Sequence, residues 1–199
     1  MHIRLFNLII ISMTSDFRNM SSAQDEAMKE IAIVMGSDSD LKTLAPAIEI
    51  LEEFDIAVLV RILSAHRTPL EMIDFATKAE AKGIKVIVAG AGGAAHLPGM
   101  IASLTNIPVI GVPVQSKALS GVDSMHSILQ MPSGIPVATV AIGGGLNAGL
   151  LAAQILATSN PLLKQKISNY RNNLHDLIVE KDNKLTSLGT KEYLLKMQR

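Results

Sequence analysis

Three short clusters are rich in side chains able to do chemistry: Gly36-Ser37-Asp38-Ser39-Asp40, Ser64-Ala65-His66-Arg67 and Gly90-Ala-Gly-Gly-Ala-Ala-His96. The first offers hydroxyls and backbone N–H groups just ahead of an amphipathic stretch, an arrangement that cradles anions. Helix capping by Ser37 or Ser39 is the alternative use of the same residues. Asp40 fits that cradle less simply, because a carboxylate beside a bound phosphate is repelled. Accepting hydrogen bonds from sugar hydroxyls suits it better. In the second cluster Arg67 would oppose the dipole of the helix that follows. A bound anion relieves that conflict and gains bidentate hydrogen bonds. The adjacent cation should lower the pKa of His66, leaving a neutral base or weak acid near working pH. The third cluster formally matches a dinucleotide fingerprint at Gly90, Gly92 and Ala95. It follows the third strand rather than the first, and no acidic residue stands about 20 positions on. Its glycines read as points where a ligand or a neighbouring chain approaches the backbone. His96 either joins this site or caps a helix from its first turn, whereas His126, on an apolar helical stretch, reads as structural. Met100, Met125 and Met131 read as packing.

The elements that must position these clusters follow from the hydrophobic pattern. Ile31–Met35, Ile56–Ile62, Ile84–Ala89, Pro108–Val112 and Val137–Ile142 are short Val/Ile-rich runs and read as strands. Between them lie helical stretches from the first cluster to Phe54, from Thr68 to Gly83, over His96–Leu104, over Gly121–Met131 and over Leu146–Ala157. Pro46 should kink or bulge the first of these helices. Thr68-Pro69-Leu70-Glu71 predicts a capping box with Pro at the first helical position. After Pro161 a long polar helix runs to about Lys181. Continuous apolar strands alternating with helices imply a parallel sheet covered on both faces. The expected fold is a single three-layer α/β/α domain with a flavodoxin-like (Rossmann-like) sheet and a C-terminal helical arm. Its parts are an N-terminal extension at residues 1–30, a catalytic domain at 31–160 and a helix and tail at 161–199. In such sheets the loops at the carboxyl ends of the strands gather ligand groups, so the three clusters should form one site.

Composition bounds the function from outside. The 199 residues carry 18 Lys+Arg against 18 Asp+Glu, which argues against a nucleic-acid groove, and 3% aromatics leave few rings for base stacking. With no cysteine there is no disulfide framework, thiolate metal site or cysteine nucleophile, which fits the reducing cytoplasm. No His, Asp or Glu pair has metal-ligand spacing within one element, so no metal is indicated. Leu5–Met13 is far shorter than the roughly 20 residues of a membrane span. Met13, Met20 and Met28 are each candidate starts. Charge is uneven: between Ala91 and Asn160 only Lys117 and Asp123 are charged, while 161–199 holds eight Lys+Arg and four Asp+Glu. An almost uncharged surface of that length points to contacts between copies of the chain, and hence to a homo-oligomer.

Several motifs, in register, resemble those of the bacterial N5-carboxyaminoimidazole ribonucleotide mutase family. They are Gly36–Asp40, Ser64-Ala-His-Arg-Thr-Pro69, Ala89–Met100, Gly111-Val-Pro-Val114 and Ser120-Gly-Val-Asp-Ser124 through Gln130-Met-Pro132. The resemblance spans roughly residues 30 to 160. It implies a cofactor-free step of purine synthesis on a phosphoribosyl imidazole, in which a carboxylate moves from the exocyclic nitrogen to ring carbon four through trapped CO2. It implies nucleotide binding by Ser37 and Asp40, binding around the phosphate and carboxylate by Ser64 and Arg67, and a proton shuttle at His66. Ala91, Gly92, His96 and Leu97 match positions lining the same pocket, and the family assembles as octamers with sites near subunit boundaries. Leu41 stands where the family usually carries an aromatic residue, and Gly143-Gly-Gly-Leu-Asn147 is a shorter turn than usual, leaving that helix start open. The nearest rival is a carboxylase using free CO2 and aminoimidazole ribonucleotide. A non-catalytic nucleotide-binding module is the rival of a different class.

Overall fold

The computed structural model describes residues 28–197, so the expectations about residues 1–27, including the apolar Leu5–Met13 stretch, lie outside it. Five parallel strands form one sheet: β1 (Ile31–Met35), β2 (Val58–Ile62), β3 (Val86–Gly92), β4 (Val109–Val114) and β5 (Ala138–Thr139), in the order β2-β1-β3-β4-β5. This is the flavodoxin-like order, whose switch point lies between β1 and β3. The helices are α1 (Leu41–Glu53), α2 (Pro69–Lys78), α3 (Leu97–Ala102), α4 (Val122–Leu129), α5 (Gly145–Ala157) and α6 (Pro161–Met197). Alternation along β1 divides the core. Ile31, Ile33 and Met35 pack with Leu44, Leu51, Ala148, Ala152 and Leu156 on one face. Ala32 and Val34 pack with Met72, Phe75, Leu97 and Ile101 on the other. Three layers result, as the alternating strands and helices imply.

The sequence reading differs in detail at six places. Pro46 lies inside α1, which stays one continuous helix across it. Thr68 precedes Pro69 as expected, but its side chain caps nothing; its Oγ1 accepts from Ser64 N–H and donates to the Ser64 carbonyl, closing the loop instead. The third strand runs on to Gly92, so its glycines begin as strand residues paired with β1 and β4. The fifth strand has two paired residues where six were expected. The long helix continues past Lys181 to Met197, with a break at Gly189 (φ 75°, ψ 160°). His126 is exposed on α4, not packed within it.

Helices α1 and α5 pass unusually close, because a Cβ at Gly145 would overlap the Thr43 carbonyl. The open helix start in the glycine turn is thereby fixed at Gly145. The first turns of α6 bury Leu163 and Ile167 against the core, and Lys166 Nζ donates to the Phe54 carbonyl (2.8 Å) and Asp55 (2.6 Å). The remainder of α6 is largely exposed. No helix among the described residues is long and apolar enough to cross a membrane.

Candidate active site

The pairings Met35↔Ile62, Met35↔Gly90 and Gly92↔Val114 bring four strand ends to one edge of the sheet. The loops leaving them enclose a cleft of about 470 Å³ at the β1/β3 switch point. All nine residues picked from the sequence line it: Ser37, Asp40, Ser64, His66, Arg67, Ala91, Gly92, His96 and Leu97. Val114 at the end of β4 and Gln115 and Ser116 in the loop after it also line the cleft, and the sequence reading had not placed them in the site. The signal was available, since the same carboxyl-end rule applied to the fourth strand leads directly to Gln115 and Ser116.

In the first loop the capping expected of Ser37 is present, and it leaves the loop lining the cleft. Ser37 Oγ accepts from Ser39 N–H at 3.4 Å, and Asp40 Oδ2 accepts from Ser37 N–H at 3.2 Å, a reciprocal cap that holds both side chains at the cleft wall. Asp40 is only 9% exposed. Burial raises its pKa, opposed by hydrogen bonds from Ser37, Ser39 and Gly36 and by the positive charge of Arg67.

The second loop is tied to the first by Arg67. Its guanidinium donates to the Gly36 carbonyl at 2.7 Å, and its Nε and backbone N–H both donate to Ser64 Oγ at 3.2 Å. The arginine is therefore already oriented, and no carboxylate pairs with it among the described residues. The guanidinium N–H groups not used on Ser64 and Gly36 could take an anion.

His66 meets His96 across the cleft. Nε2 of His66 lies 2.7 Å from Nδ1 of His96, with ring centroids 4.9 Å apart and the planes 82° to one another. At that distance one ring must donate and the other accept, so a single hydrogen joins the pair. This decides between the two readings of His96: it faces the site, and its side chain caps no helix.

The wall opposite consists mostly of backbone and small side chains. Ala91 and Leu97 are buried there, and Gly93 adopts φ +67°, a conformation few other residues accept. Ser124 Oγ, wholly buried, accepts from Gly93 N–H at 2.9 Å and donates to the Val114 carbonyl at 2.7 Å. Ser116 Oγ donates to Asp123 at 2.6 Å and accepts from Leu119 and Gly121 N–H groups, and this hydrogen bond is the main reason the Asp123 pKa is lowered. No three His, Asp or Glu side chains converge among the described residues as a metal ion would require.

The cleft therefore combines an anion fork, a buried hydroxyl acceptor and a linked imidazole pair, facing a closely packed backbone wall. Such a site can hold a phosphorylated sugar and move a proton at a ring held against the wall.

Known proteins resemble this chain over most of its length. The family model described as AIR carboxylase matches residues 30–176. The N5-carboxyaminoimidazole ribonucleotide mutase of Synechocystis is 58% identical over 164 residues, covering 82% of this chain and 93% of that protein. The protein of the same name from Thermotoga maritima is 54% identical over 167 residues, covering 84% and 98%. The crystal structure of Treponema denticola PurE superposes with a TM-score of 0.72 at 31% identity, covering 78% of this chain and 96% or more of that one. With more than half its length matched by the family model, and with relatives at this identity over most of both chains, the chain belongs to the AIR carboxylase family.

Proposed function

We propose that the protein is an N5-carboxyaminoimidazole ribonucleotide mutase, acting in purine synthesis without a cofactor. The observation that carries this reading is the His66–His96 pair, 2.7 Å apart at the rim of an anion-binding cleft. Arg67 and the Ser37 loop take the phosphate and carboxylate, with Ser64 orienting the guanidinium, and Asp40 accepts from the ribose hydroxyls. His66 delivers a proton to the exocyclic nitrogen as its bond to the carboxylate carbon breaks, leaving the amine and CO2 in the cleft. Ring carbon four then attacks the CO2, and His66, now neutral, removes the proton from that carbon. One proton is given and one recovered, so no external acid, base or oxidant enters the balance. Ala91, Gly92 and Leu97 confine the CO2 between the two steps. His96 fixes which nitrogen of His66 carries hydrogen at each stage.

The catalytic unit is residues 31–160, the remainder being the N-terminal extension and the helical arm. We place the enzyme in the cytoplasm and expect a homo-octamer. Support for assembly comes from the charge-poor segment, where Leu119, Val122, Leu129 and Leu146 are exposed by 59%, 42%, 51% and 40% on a surface with almost no charge to solvate it. Turnover of the N-carboxylated substrate with bicarbonate excluded tests the activity: conversion to the carbon-four carboxylate without added CO2 is expected, and a strict requirement for CO2 would favour the carboxylase. A stable monomer in light scattering at micromolar concentration would refute the assembly.

A further inference from the structure

The Ser120–Ser124 motif takes no part in the chemistry just described, yet its last residue holds a wall of the cleft. Ser124 is wholly buried, and both hydrogen-bonding capacities of its hydroxyl are used: it accepts from Gly93 N–H (2.9 Å) and donates to the Val114 carbonyl (2.7 Å). Gly93 follows β3 and Val114 ends β4, and both line the cleft. One turn further along the same face of α4, Ser127 Oγ donates to the carbonyl of Ala94. Helix α4 thus grips consecutive residues of the glycine loop, one by its N–H and the next by its carbonyl. Gly93 stands at φ +67°, where the backbone has little inherent preference to stay, so the grip has to come from outside the loop.

We propose that Ser124 is a positioning residue that keeps the Gly92–Gly93 wall closed against CO2 between decarboxylation and recarboxylation. This rests on the mutase reading above. That reaction forms a small neutral molecule with no charge for Arg67 or Asp40 to hold, and only a close-fitting wall retains it. Removing the hydroxyl takes that partner from the part-buried Gly93 N–H and the buried Val114 carbonyl, and the loop gains the freedom to part from β4. Decarboxylation at His66 proceeds as before. CO2 then escapes before carbon four attacks, and aminoimidazole ribonucleotide leaves as a by-product.

The experiment measures partition as well as rate. Wild-type protein is first shown to convert the N-carboxylated substrate; if it does not, the mutase reading itself fails and this inference falls with it. Ser124→Ala is then expected to consume substrate within about threefold of the wild-type rate while releasing at least about tenfold more free aminoimidazole ribonucleotide per product formed. Ser124→Cys, close in size and a weaker hydrogen-bonding group, should leak to an intermediate extent and provides the reading if the alanine variant does not fold. Ile128→Val, a buried change one turn away in α4, is the control for simple loosening and should not leak. Hydrogen exchange of the 90–96 segment should accelerate in Ser124→Ala and not in the control. An unchanged partition in a folded Ser124 variant, or equal leakage from Ile128→Val, would overturn the proposal and leave the mutase reading standing.

Discussion

The two sides of the cleft are built from different materials. The loops after β1 and β2 contribute hydroxyl-bearing or ionisable side chains: Ser37, Asp40, Ser64, His66 and Arg67. The ends of β3 and β4 and the loops after them contribute Ala91, Gly92, Gly93, Ala95 and Val114, with Gln115, Ser116 and His96 as the polar exceptions. The division follows the charge distribution of the chain, since the second side belongs to the segment with one cation and one anion. A charged ligand needs partners that can be oriented, and Arg67 is oriented by Ser64 and Gly36 before any ligand arrives. A neutral reaction intermediate needs a wall without gaps, which short side chains and backbone supply. On the proposed function, one side would recognise the substrate and the other contain it.

If that division is right, the largest single effect should come from the imidazole on the recognition side. His66→Asn keeps a polar group of similar reach but cannot carry a proton through the cycle. We expect at least about a hundredfold loss of turnover, about 2.7 kcal/mol of transition-state stabilisation, with substrate affinity within about tenfold. Steady-state kinetics alongside equilibrium binding measures both. Unchanged turnover would remove His66 from the mechanism and return the site to a binding module.

Arg67→Lys probes the same side at a group that binds. Lysine keeps the charge but loses the planar fork that spans Ser64 Oγ and the Gly36 carbonyl. KM should rise by about tenfold, near 1.4 kcal/mol, while kcat stays within about threefold. A fall in kcat alone would mean that Arg67 acts on the reacting atoms. Gln115→Ala then tests the containing side, where Gln115 is the longest exposed polar side chain. The division predicts less than a threefold change in kcat/KM. A loss of tenfold or more would show that the fourth loop also recognises substrate.

What the sequence revealed follows the same line. Side-chain chemistry is local, so the Ser37–Asp40 and Ser64–Arg67 clusters were recognisable from residue type and from their position after apolar runs. Backbone roles depend on neighbours distant in the chain. Gly90 illustrates this: its lack of a Cβ admits Leu44, whose side chain would lie 2.9 Å from that carbon, so it serves helix packing and not ligand approach. Thr68 is a second case. Its sequence context matches a capping box, but Ser64 offers both a donor and an acceptor within reach, and the loop closure wins. Strand ends were misjudged where pairing decides them: β3 extends to Gly92 because β4 pairs with it to the end, and β5 shrinks to two residues at the sheet edge. The Ser124 clasp joins residues 31 and 10 positions away in the chain, beyond any local pattern.

Asp40 supplies the smallest effect and the most discriminating sign. Burial raises its pKa above the ordinary 3.8. Between that value and the raised one the folded protein holds a proton the unfolded chain has already released. Stability therefore falls as pH rises through this interval and stays at its lower level above it. Asparagine is neutral throughout, and its carbonyl oxygen can still accept from Ser37 N–H. Asp40→Asn should accordingly melt at or slightly above the wild-type temperature at pH 7, with the difference shrinking as pH falls below the interval. Affinity should move the other way, because an amide accepts ribose hydroxyls less strongly than a carboxylate. A variant more stable and weaker in binding would mean that the carboxylate is kept for the ligand at some cost to the fold. A lower melting temperature with unchanged affinity would mean that Asp40 serves the loop alone, and the recognising side would then rest on Arg67 and the serines.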